Sequence, residues 1–219
     1  MNDLSAIKEY GKIEICSEKG NQICCIEIIG EIEGHDITPS SVKSTKYEHL
    51  IPIITSVEFD TDIAGLVVIL HTTGGDVDAG LAIAELISTM KKPTVSLTLG
   101  TSHSIGIPIA VSTDYSFITK SGLMLAHPIR MTGTTIGSTQ SYLYIQRLQD
   151  RITEFITSHS QISKENFCRL INNKNDLTQD IGSMINGPDS VKFGLINEVG
   201  GLKDAVAKID ELILHKSQS

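Results

Sequence analysis

Residues 63–76 read IAGLVVILHTTGGD, and this segment carries the strongest indication of the class of fold. Residues 63–70 form a nearly continuous apolar run with several β-branched side chains. Such a run is typical of a strand that is buried on both faces, as the strands of a parallel sheet are. A glycine turn follows at Gly74 and Gly75, and Asp76 is a candidate N-cap of the next helix. The segment therefore predicts a strand, a tight turn and a helix, as in an α/β domain.

The chain on either side continues this alternation. The helix after Asp76 is predicted from an apolar stripe at the spacing of one helical face, formed by Ile83, Leu86, Ile87 and Met90. A strand at 23–32 and a helix at 50–58 come earlier, with a polar, turn-rich loop at 34–46 between them. Later elements are expected in the order strand, short helix, strand and strand, at residues 94–99, 105–111, 115–118 and 123–127. This order predicts a sheet with crossover connections.

The second part of the chain differs from this alternating part. A long helix is expected to begin near Ser138 or Thr139, and its apolar stripe is formed by Ile145, Leu148, Ile152, Phe155 and Ile156. It is longer than a crossover connection needs, so we expect it to project from the core. A helix at 203–214 closes the chain.

The composition excludes several classes of protein. Hydrophobic residues make up 40% of the 219 residues, which allows a sizeable core and excludes a disordered chain. With 26 acidic and 18 basic residues the net charge is −8, so no nucleic-acid partner is expected. Trp is absent and aromatic residues make up 5%, which argues against a groove that stacks on sugars or bases.

The sequence also bears on localisation and cofactors. No apolar run is long enough to cross a bilayer, and the first residues have no signal-peptide pattern. The four cysteines form no C-x-x-C pair, so a zinc site is not expected. We expect them to be reduced thiols of a cytoplasmic protein. The dinucleotide and P-loop motifs are absent. We therefore expect a cytoplasmic protein without a metal or another cofactor.

Two glycine turns stand at the carboxyl ends of predicted strands, where open α/β sheets bind their ligands. The first contains Gly74 and Gly75, which form either an ordinary tight turn or a nest of backbone N–H groups for an oxyanion. The second runs over residues 100–106 and places Ser104 at the start of a predicted helix. A serine there is commonly a helix N-cap, but the position also suits a nucleophile. Both interpretations stay open at this point.

A nucleophilic serine needs a base and a group that orients the base. Among the seven histidines, His127 ends a predicted strand and is held extended by Pro128. His103 is adjacent to Ser104, so these two side chains are expected to point apart. Many carboxylates are available, and spacing alone does not choose among them.

Five motifs, taken in order, resemble the proteolytic subunit of the Clp proteases. They are Thr72-Thr-Gly74-Gly75, Gly100-x-x-x-Ser104-x-Gly106, Met124-Leu-Ala-His127-Pro128, Leu177-Thr-Gln-Asp180 and Val191-Lys-Phe-Gly194-Leu-Ile196. Within that family the chain is most similar to the branch of translocation-enhancing proteins. The segments that carry this further similarity are Gly34-His35 and residues 45–49, 103–111 and 157–160.

The resemblance implies a set of catalytic residues. Ser104 matches the nucleophile, His127 the general base and Asp180 the carboxylate that orients the base. Gly75 and Ile105 match the residues whose backbone N–H groups form the oxyanion hole. The order Ser, His, Asp along the chain disfavours an α/β-hydrolase, in which the order is Ser, Asp, His.

The resemblance also implies a substrate site and an assembly. The segment that would bind a peptide or an unfolded protein as an added strand contains Met131, Thr132, Gly133 and Thr134. The chains would form a homo-oligomeric ring, a hexamer or a heptamer, single or stacked, with the active sites in a chamber. A Clp-type ATPase partner and an enzyme that acts alone both stay open.

The expected fold is α/β, a ClpP/crotonase-like core of repeated ββα units with a projecting handle helix. Residues 1–219 would form a single domain, with its core at 20–130 and 176–215 and its handle at about 131–175. The leading hypothesis is a serine endopeptidase with a Ser-His-Asp triad. The alternatives are a crotonase-like enzyme that binds acyl-coenzyme A thioesters and a ClpP-like scaffold without activity.

Overall fold

The computed structural model describes residues 11–130, 137–174 and 181–216. Nine strands lie in these ranges: β1 Lys12–Cys16, β2 Gln22–Glu33, β3 Ser44–Lys46, β4 Gly65–Gly75, β5 Thr94–Ser102, β6 Tyr115–Ile118, β7 Leu123–Ala126, β8 Ser183–Asn186 and β9 Glu198–Val199. Seven helices lie in the same ranges: α1 Tyr47–Phe59, α2 Val77–Ser88, α3 Gly106–Val111, α4 Ser138–Ser158, α5 Lys164–Ile171, α6 Gly187–Lys192 and α7 Leu202–Lys216.

The main sheet is mostly parallel. Its strands follow the order β1-β2-β4-β5-β6-β9, in which β1 is antiparallel to β2 and every later pair is parallel. β7 pairs with the end of β5 and runs antiparallel to β8. Because parallel strands end at the same edge, the carboxyl ends of β2, β4 and β5 meet there. This is the edge at which open α/β sheets bind ligands.

The central strand β4 is covered on both faces, as the sequence predicts. Leu66, Val67 and Val68 are all completely buried. Successive side chains of a strand point to opposite faces, so Leu66 and Val68 pack towards α1, α2 and α3 while Val67 packs against Ala205 and Ile209 of α7. Burial of each such aliphatic side chain contributes roughly 1.5–3 kcal/mol.

The long helix α4 projects along the first half of its length. Ile152, Phe155 and Ile156 in its second half are buried in the core, whereas Tyr142 and Tyr144 in its first half are 65% and 52% exposed. The apolar stripe of α4 therefore packs against the core only in the second half of the helix. The predicted boundaries between core and handle, at about residues 131 and 175, fall on segments outside the described ranges.

The structure differs from the sequence predictions in two respects. Residues 34–46 are not a loop throughout, since Ser44–Lys46 pairs in parallel with β2 as β3. The hydroxyl of Thr45 accepts from the N–H of Ile29 at 2.9 Å and donates to its carbonyl at 2.8 Å, which fixes the strand. The sequence also does not predict β1, α5, β8, α6 and β9. All five are short, and β8 and β9 pair with strands far earlier in the chain.

Candidate active site

The end of β4 is a glycine turn with no room for side chains. Gly74 has a φ of 88° and Gly75 a φ of 152°, values that favour glycine. A Cβ at Gly75 would lie 2.3 Å from the carbonyl oxygen of Ile32 on β2. A Cβ at Gly74 would lie 2.8 Å from the Cβ of Ser104. The turn therefore brings backbone groups to the edge of the sheet beside Ser104.

Ser104 occupies a strained turn between β5 and α3. Its φ of 54° is the one positive value at a residue other than glycine within the described ranges. Its N–H donates to the carbonyl of Leu125 at 2.8 Å, and its own carbonyl accepts from the N–H of Ile107 at 3.0 Å. Backbone strain of this kind persists only where the surrounding structure holds it in place, and it is concentrated at functional sites. The nucleophile elbow places its serine in the same strand–turn–helix setting.

Ser102, the other serine near this turn, is completely buried. It is also packed closely, since a Cβ at Gly106 would lie 2.8 Å from its hydroxyl oxygen. Ser104, in contrast, lines a cavity. Of these two serines, Ser104 is therefore the one placed to meet a substrate.

His127 follows directly after β7. Its Nδ1 lies 2.7 Å from the carbonyl oxygen of Pro128. Since a carbonyl oxygen only accepts hydrogen bonds, the proton of the neutral ring is on Nδ1, which leaves the lone pair on Nε2. This is the tautomer that a general base requires.

Ser104 and His127 line the same cavity of about 130 Å³ as Gly75 and Ile105. The rest of its wall is mostly apolar and includes Val77, Ile107, Ala126, Ile129, Ile152, Ile156 and Phe167. The N–H of Ile105, at the start of α3, has no acceptor in the part of the chain that the structure describes. The fold thus brings together the predicted nucleophile, the predicted base and both predicted oxyanion residues.

Two further histidines lie beside the site. Burial, and after it the imidazoles of His127 and His71, lower the pKa of His103 below its ordinary value of 6.5. His71 accepts a hydrogen bond at Nδ1 from the N–H of Thr101 at 3.2 Å. Protonation of either neighbouring ring opposes protonation of His103, so the electrostatics of the cluster favour a neutral His103 beside Ser104.

Five predicted site residues lie outside the described ranges: Asp180, Met131, Thr132, Gly133 and Thr134. Gly182, which is described, packs against His127. A Cβ at Gly182 would lie 2.9 Å from the Cβ of His127 and 2.5 Å from the carbonyl oxygen of Ala126. The chain that enters β8 therefore passes directly beside His127.

Gln149, a residue of α4 that lines the cavity, is not among the site residues that the sequence predicts. Its Oε1 accepts from the N–H of Ile129 at 2.9 Å, which ties the segment after His127 to the helix. Gln149 comes four residues after Ile145 and three before Ile152, so it interrupts the apolar stripe of the helix. A polar residue within an apolar stripe is the signal that could have revealed it.

The described ranges hold neither a metal site nor a membrane-spanning helix. Among residues 11–130, 137–174 and 181–216, no three side chains of His, Cys, Asp or Glu are grouped so that they could hold a metal ion. No helix within these ranges has both the length and the apolar character needed to cross a membrane. The four cysteines are free thiols.

Similarity to known proteins identifies the family of this chain. A family profile described as Clp protease matches residues 26–203, which is most of the chain. The chain belongs to the Clp protease family. The translocation-enhancing protein TepA of Halalkalibacterium halodurans is 48% identical to it over 210 residues, which cover 96% of this chain and 82% of TepA. A candidate protease of Methanocaldococcus jannaschii is 22% identical over 232 residues, covering 88% of this chain and 71% of that protein.

A solved Clp structure shares the fold. A point mutant of ClpP1 from Listeria monocytogenes superposes with a TM-score of 0.61 and 18% sequence identity, covering 83% of this chain and 94% of that chain. At this identity the likeness bears on the fold alone. The predicted ClpP-like α/β fold and the resemblance to the Clp family are thus confirmed.

Proposed function

We propose that this member of the Clp protease family is a serine endopeptidase that cleaves peptides or unfolded proteins. Membership of the family supports a Clp-like peptidase. The observation that carries the serine mechanism is the strained turn, which presents Ser104 to the same cavity as His127.

In the proposed first step, the hydroxyl oxygen of Ser104 attacks the carbonyl carbon of the scissile peptide bond. His127 takes the hydroxyl proton at Nε2, because its Nδ1 already carries a proton that is bonded to the carbonyl of Pro128. The N–H groups of Gly75 and Ile105 would donate to the oxyanion that forms. Loss of one such donor ordinarily slows a reaction by ~10²–10³-fold.

The second half of the reaction returns the enzyme to its starting state. The C–N bond breaks as His127 gives its proton to the leaving amine, and an ester remains on Ser104. The same imidazole then takes a proton from the water that attacks the ester, and gives it to the oxygen of Ser104 as the ester bond breaks and the acid product leaves. Every proton transferred between these groups passes through His127.

Asp180 is the carboxylate that we propose orients His127. It precedes Gly182 by two residues, and Gly182 packs against His127. Two residues of extended chain span at most ~7 Å, so a carboxylate at this place in the sequence is within reach of the ring. Asp180 would replace the carbonyl of Pro128 as the acceptor at Nδ1 and stabilise the imidazolium.

The apolar wall of the cavity favours an apolar, medium-sized side chain next to the scissile bond. Ile152 and Ile156 of α4 and Phe167 of α5 form much of that wall. The substrate backbone would be held as an added strand by Met131, Thr132, Gly133 and Thr134.

The proposed working form is a homo-oligomeric ring of six or seven subunits, single or stacked, with the active sites in its chamber. The projecting half of α4 supports assembly, since Tyr142, Leu143 and Tyr144 are 65%, 47% and 52% exposed. A group of large exposed side chains commonly marks a contact with another chain. The ring would work in the cytoplasm, with or without a Clp-type ATPase.

A fluorophosphonate probe tests the serine mechanism. In the assembled wild-type protein the probe should label Ser104, as located by mass spectrometry. Ser104→Ala and His127→Ala should abolish the labelling, and Asp180→Asn should slow it. Asp150→Asn, which removes an exposed carboxylate of α4, is the matched control and should leave the rate unchanged.

The outcomes separate the alternative functions. An assembled oligomer that is not labelled would contradict the peptidase, and binding of an acyl-coenzyme A thioester would then distinguish the crotonase-like enzyme from the scaffold without activity. Labelling at Ser102 would show that Ser102, and not Ser104, is the nucleophile.

A further inference from the structure

The carboxyl end of β2 lies between two neighbouring strands, one of which carries the proposed oxyanion turn. On one side β4 is paired so that Gly75 stands beside Ile32. On the other side β3 is paired so that Thr45 stands beside Ile32. The N–H of Asp76 donates to the carbonyl of Ile32 at 2.9 Å. The place of Gly75 is therefore set by β2, and β2 is held from its far side by β3.

Glu33, the last residue of β2, fastens β3 and the preceding loop through its carboxylate. The residue is only 3% exposed. The hydroxyl groups of Thr38 and Ser44 both donate to its Oε2, the second at 2.8 Å, and the Nζ of Lys46 lies 3.5 Å from its Oε1. The bonds from Thr38 and Ser44 lower the pKa of Glu33 to about 2, so the carboxylate is ionised near neutral pH. Hydrogen bonds to an ionised acceptor are stronger than those between neutral groups.

The loop after Glu33 also touches the glycine turn directly. A Cβ at Gly34 would lie 2.3 Å from the Cγ of Asp76. Asp76 in turn caps α2, because its carboxylate accepts from the N–H of Ala79 at 2.8 Å. A shift of the loop would therefore be passed on to the residue that follows Gly75.

We propose that Glu33 is a positioning residue for the oxyanion turn. This inference rests on the proposed function, since it assigns a role within the same site. Glu33 holds β3 and the loop against β2, and β2 holds Gly75 in the orientation that aims its N–H at the oxyanion. A catalytic group must be held within ≈ 0.5 Å of its productive geometry, so loosening the end of β2 should slow the chemical step.

Two matched pairs of variants test this role. Glu33→Gln is compared with Glu31→Gln, because Glu31 carries the same charge on the same strand without the partners of Glu33. Thr38→Val is compared with Thr38→Ser, because the first removes the donating hydroxyl and the second keeps it. Thr38 is half-buried, so neither of its variants should prevent folding.

The readouts are peptide hydrolysis and amide hydrogen exchange, both with the full-length assembled protein. With an unstructured fluorogenic peptide that carries leucine before the scissile bond, kcat should fall about 10-fold in Glu33→Gln and Thr38→Val while KM changes less than about twofold. The amide of Asp76 should exchange faster in both, because its bond to Ile32 reports the pairing of β2 with the turn. Glu31→Gln and Thr38→Ser should match the wild type.

Several results would overturn the proposal. These are an unchanged exchange rate at Asp76 in Glu33→Gln, an unchanged kcat in an active protein, and an equal loss of kcat in Glu31→Gln. If the wild type neither hydrolyses the peptide nor is labelled at Ser104, that result would instead contradict the proposed function. The exchange comparison would then still decide whether Glu33 positions the glycine turn.

Discussion

Ser104 is held in the left-handed region by its surroundings and against its own preference. Its φ of 54° costs a residue with a Cβ on the order of 1 kcal/mol. The hydrogen bond from its N–H to the carbonyl of Leu125 and the close approach of Gly74 keep the turn in place. In the mechanism that we propose, this strain lowers stability while it positions the nucleophile, and a glycine at the same position would relieve the strain.

The first prediction concerns this strain. Ser104→Gly should unfold with a free energy about 1 kcal/mol higher than Ser104→Ala, because glycine adopts a positive φ without penalty. Urea unfolding of the two variants, neither of which should hydrolyse peptides, measures the difference. At Ser112, where φ is −74°, the same pair of substitutions should give the opposite order. Equal stabilities of the two Ser104 variants would contradict the strain.

The second prediction concerns pH. The pKa of His103 is lowered in the folded protein by burial and by His127 and His71, so the unfolded chain binds a proton at a higher pH than the folded one. The contribution of His103 to stability should thus be complete above pH 6.5 and decline as the pH falls below it. In thermal unfolding, His103→Asn should lose less stability than the wild type between pH 7.5 and 5.5.

The neighbouring ring gives an independent check on His103. His71→Asn removes a nearby imidazole, so the pKa of His103, followed by NMR titration, should rise towards 6.5. A pKa of His103 at or above 6.5 in the wild type would contradict both expectations.

At the scale of elements, α4 reaches from the core to the edge of the molecule. Its second half contributes Ile152 and Ile156 to the wall of the cavity, and Gln149 reaches back to the segment that follows His127. One helix therefore shapes the pocket and also fixes the backbone beside His127. A change in α4 is expected to alter both properties together.

The hydrogen bond from Ile129 to Gln149 of α4 can be tested by substitution. Gln149→Leu keeps the volume of the side chain but leaves the N–H of Ile129 without its acceptor, which should cost about 1–3 kcal/mol of stability. Labelling of Ser104 by a fluorophosphonate should also be slower, since His127 would be held less firmly. Gln149→Glu retains an acceptor oxygen and serves as the control. If both variants lose stability equally, the hydrogen bond is not the cause.

The first half of α4 projects from the molecule and packs little against the core. Leu143 is 47% exposed between two exposed tyrosines, Tyr142 and Tyr144. Burial of a leucine side chain contributes roughly 1.5–3 kcal/mol, so contact with a second copy would stabilise an assembly. The ring that we propose therefore gives this half of the helix a function.

The fourth prediction tests the assembly. Leu143→Asp places a charge in the proposed contact and should shift the oligomer to smaller species in sedimentation velocity measurements, weakening association at least about tenfold. Gln146→Asp adds the same charge at an exposed position of the same helix and should shift it less. A wild type that sediments as a monomer, or equal effects of the two variants, would contradict the contact.

Much of the architecture was predictable, because it depends on local patterns. The apolar run before Gly74 is a strand buried on both faces, and the stripe through Ile83 and Ile87 is a helix. Ser104 and His127 could be named as candidates, since Ser104 stands in the turn that follows a predicted strand and His127 ends another. Their roles remain proposals, and Asp180 came from the resemblance because spacing does not choose among carboxylates.

The alternation of the main strands and helices and the resemblance to the Clp family could be predicted from the sequence alone, because hydrophobic periodicity is a property of nearby residues and the motifs keep their order along the chain. The folded structure, in contrast, shows that Ser102 is buried while Ser104 lines the cavity, and that Gln149 bonds to Ile129. It also revealed the bond between Glu33 and Ser44, which lie on separate strands. Such contacts join positions that the chain separates by many residues, and no local pattern specifies which of them will meet.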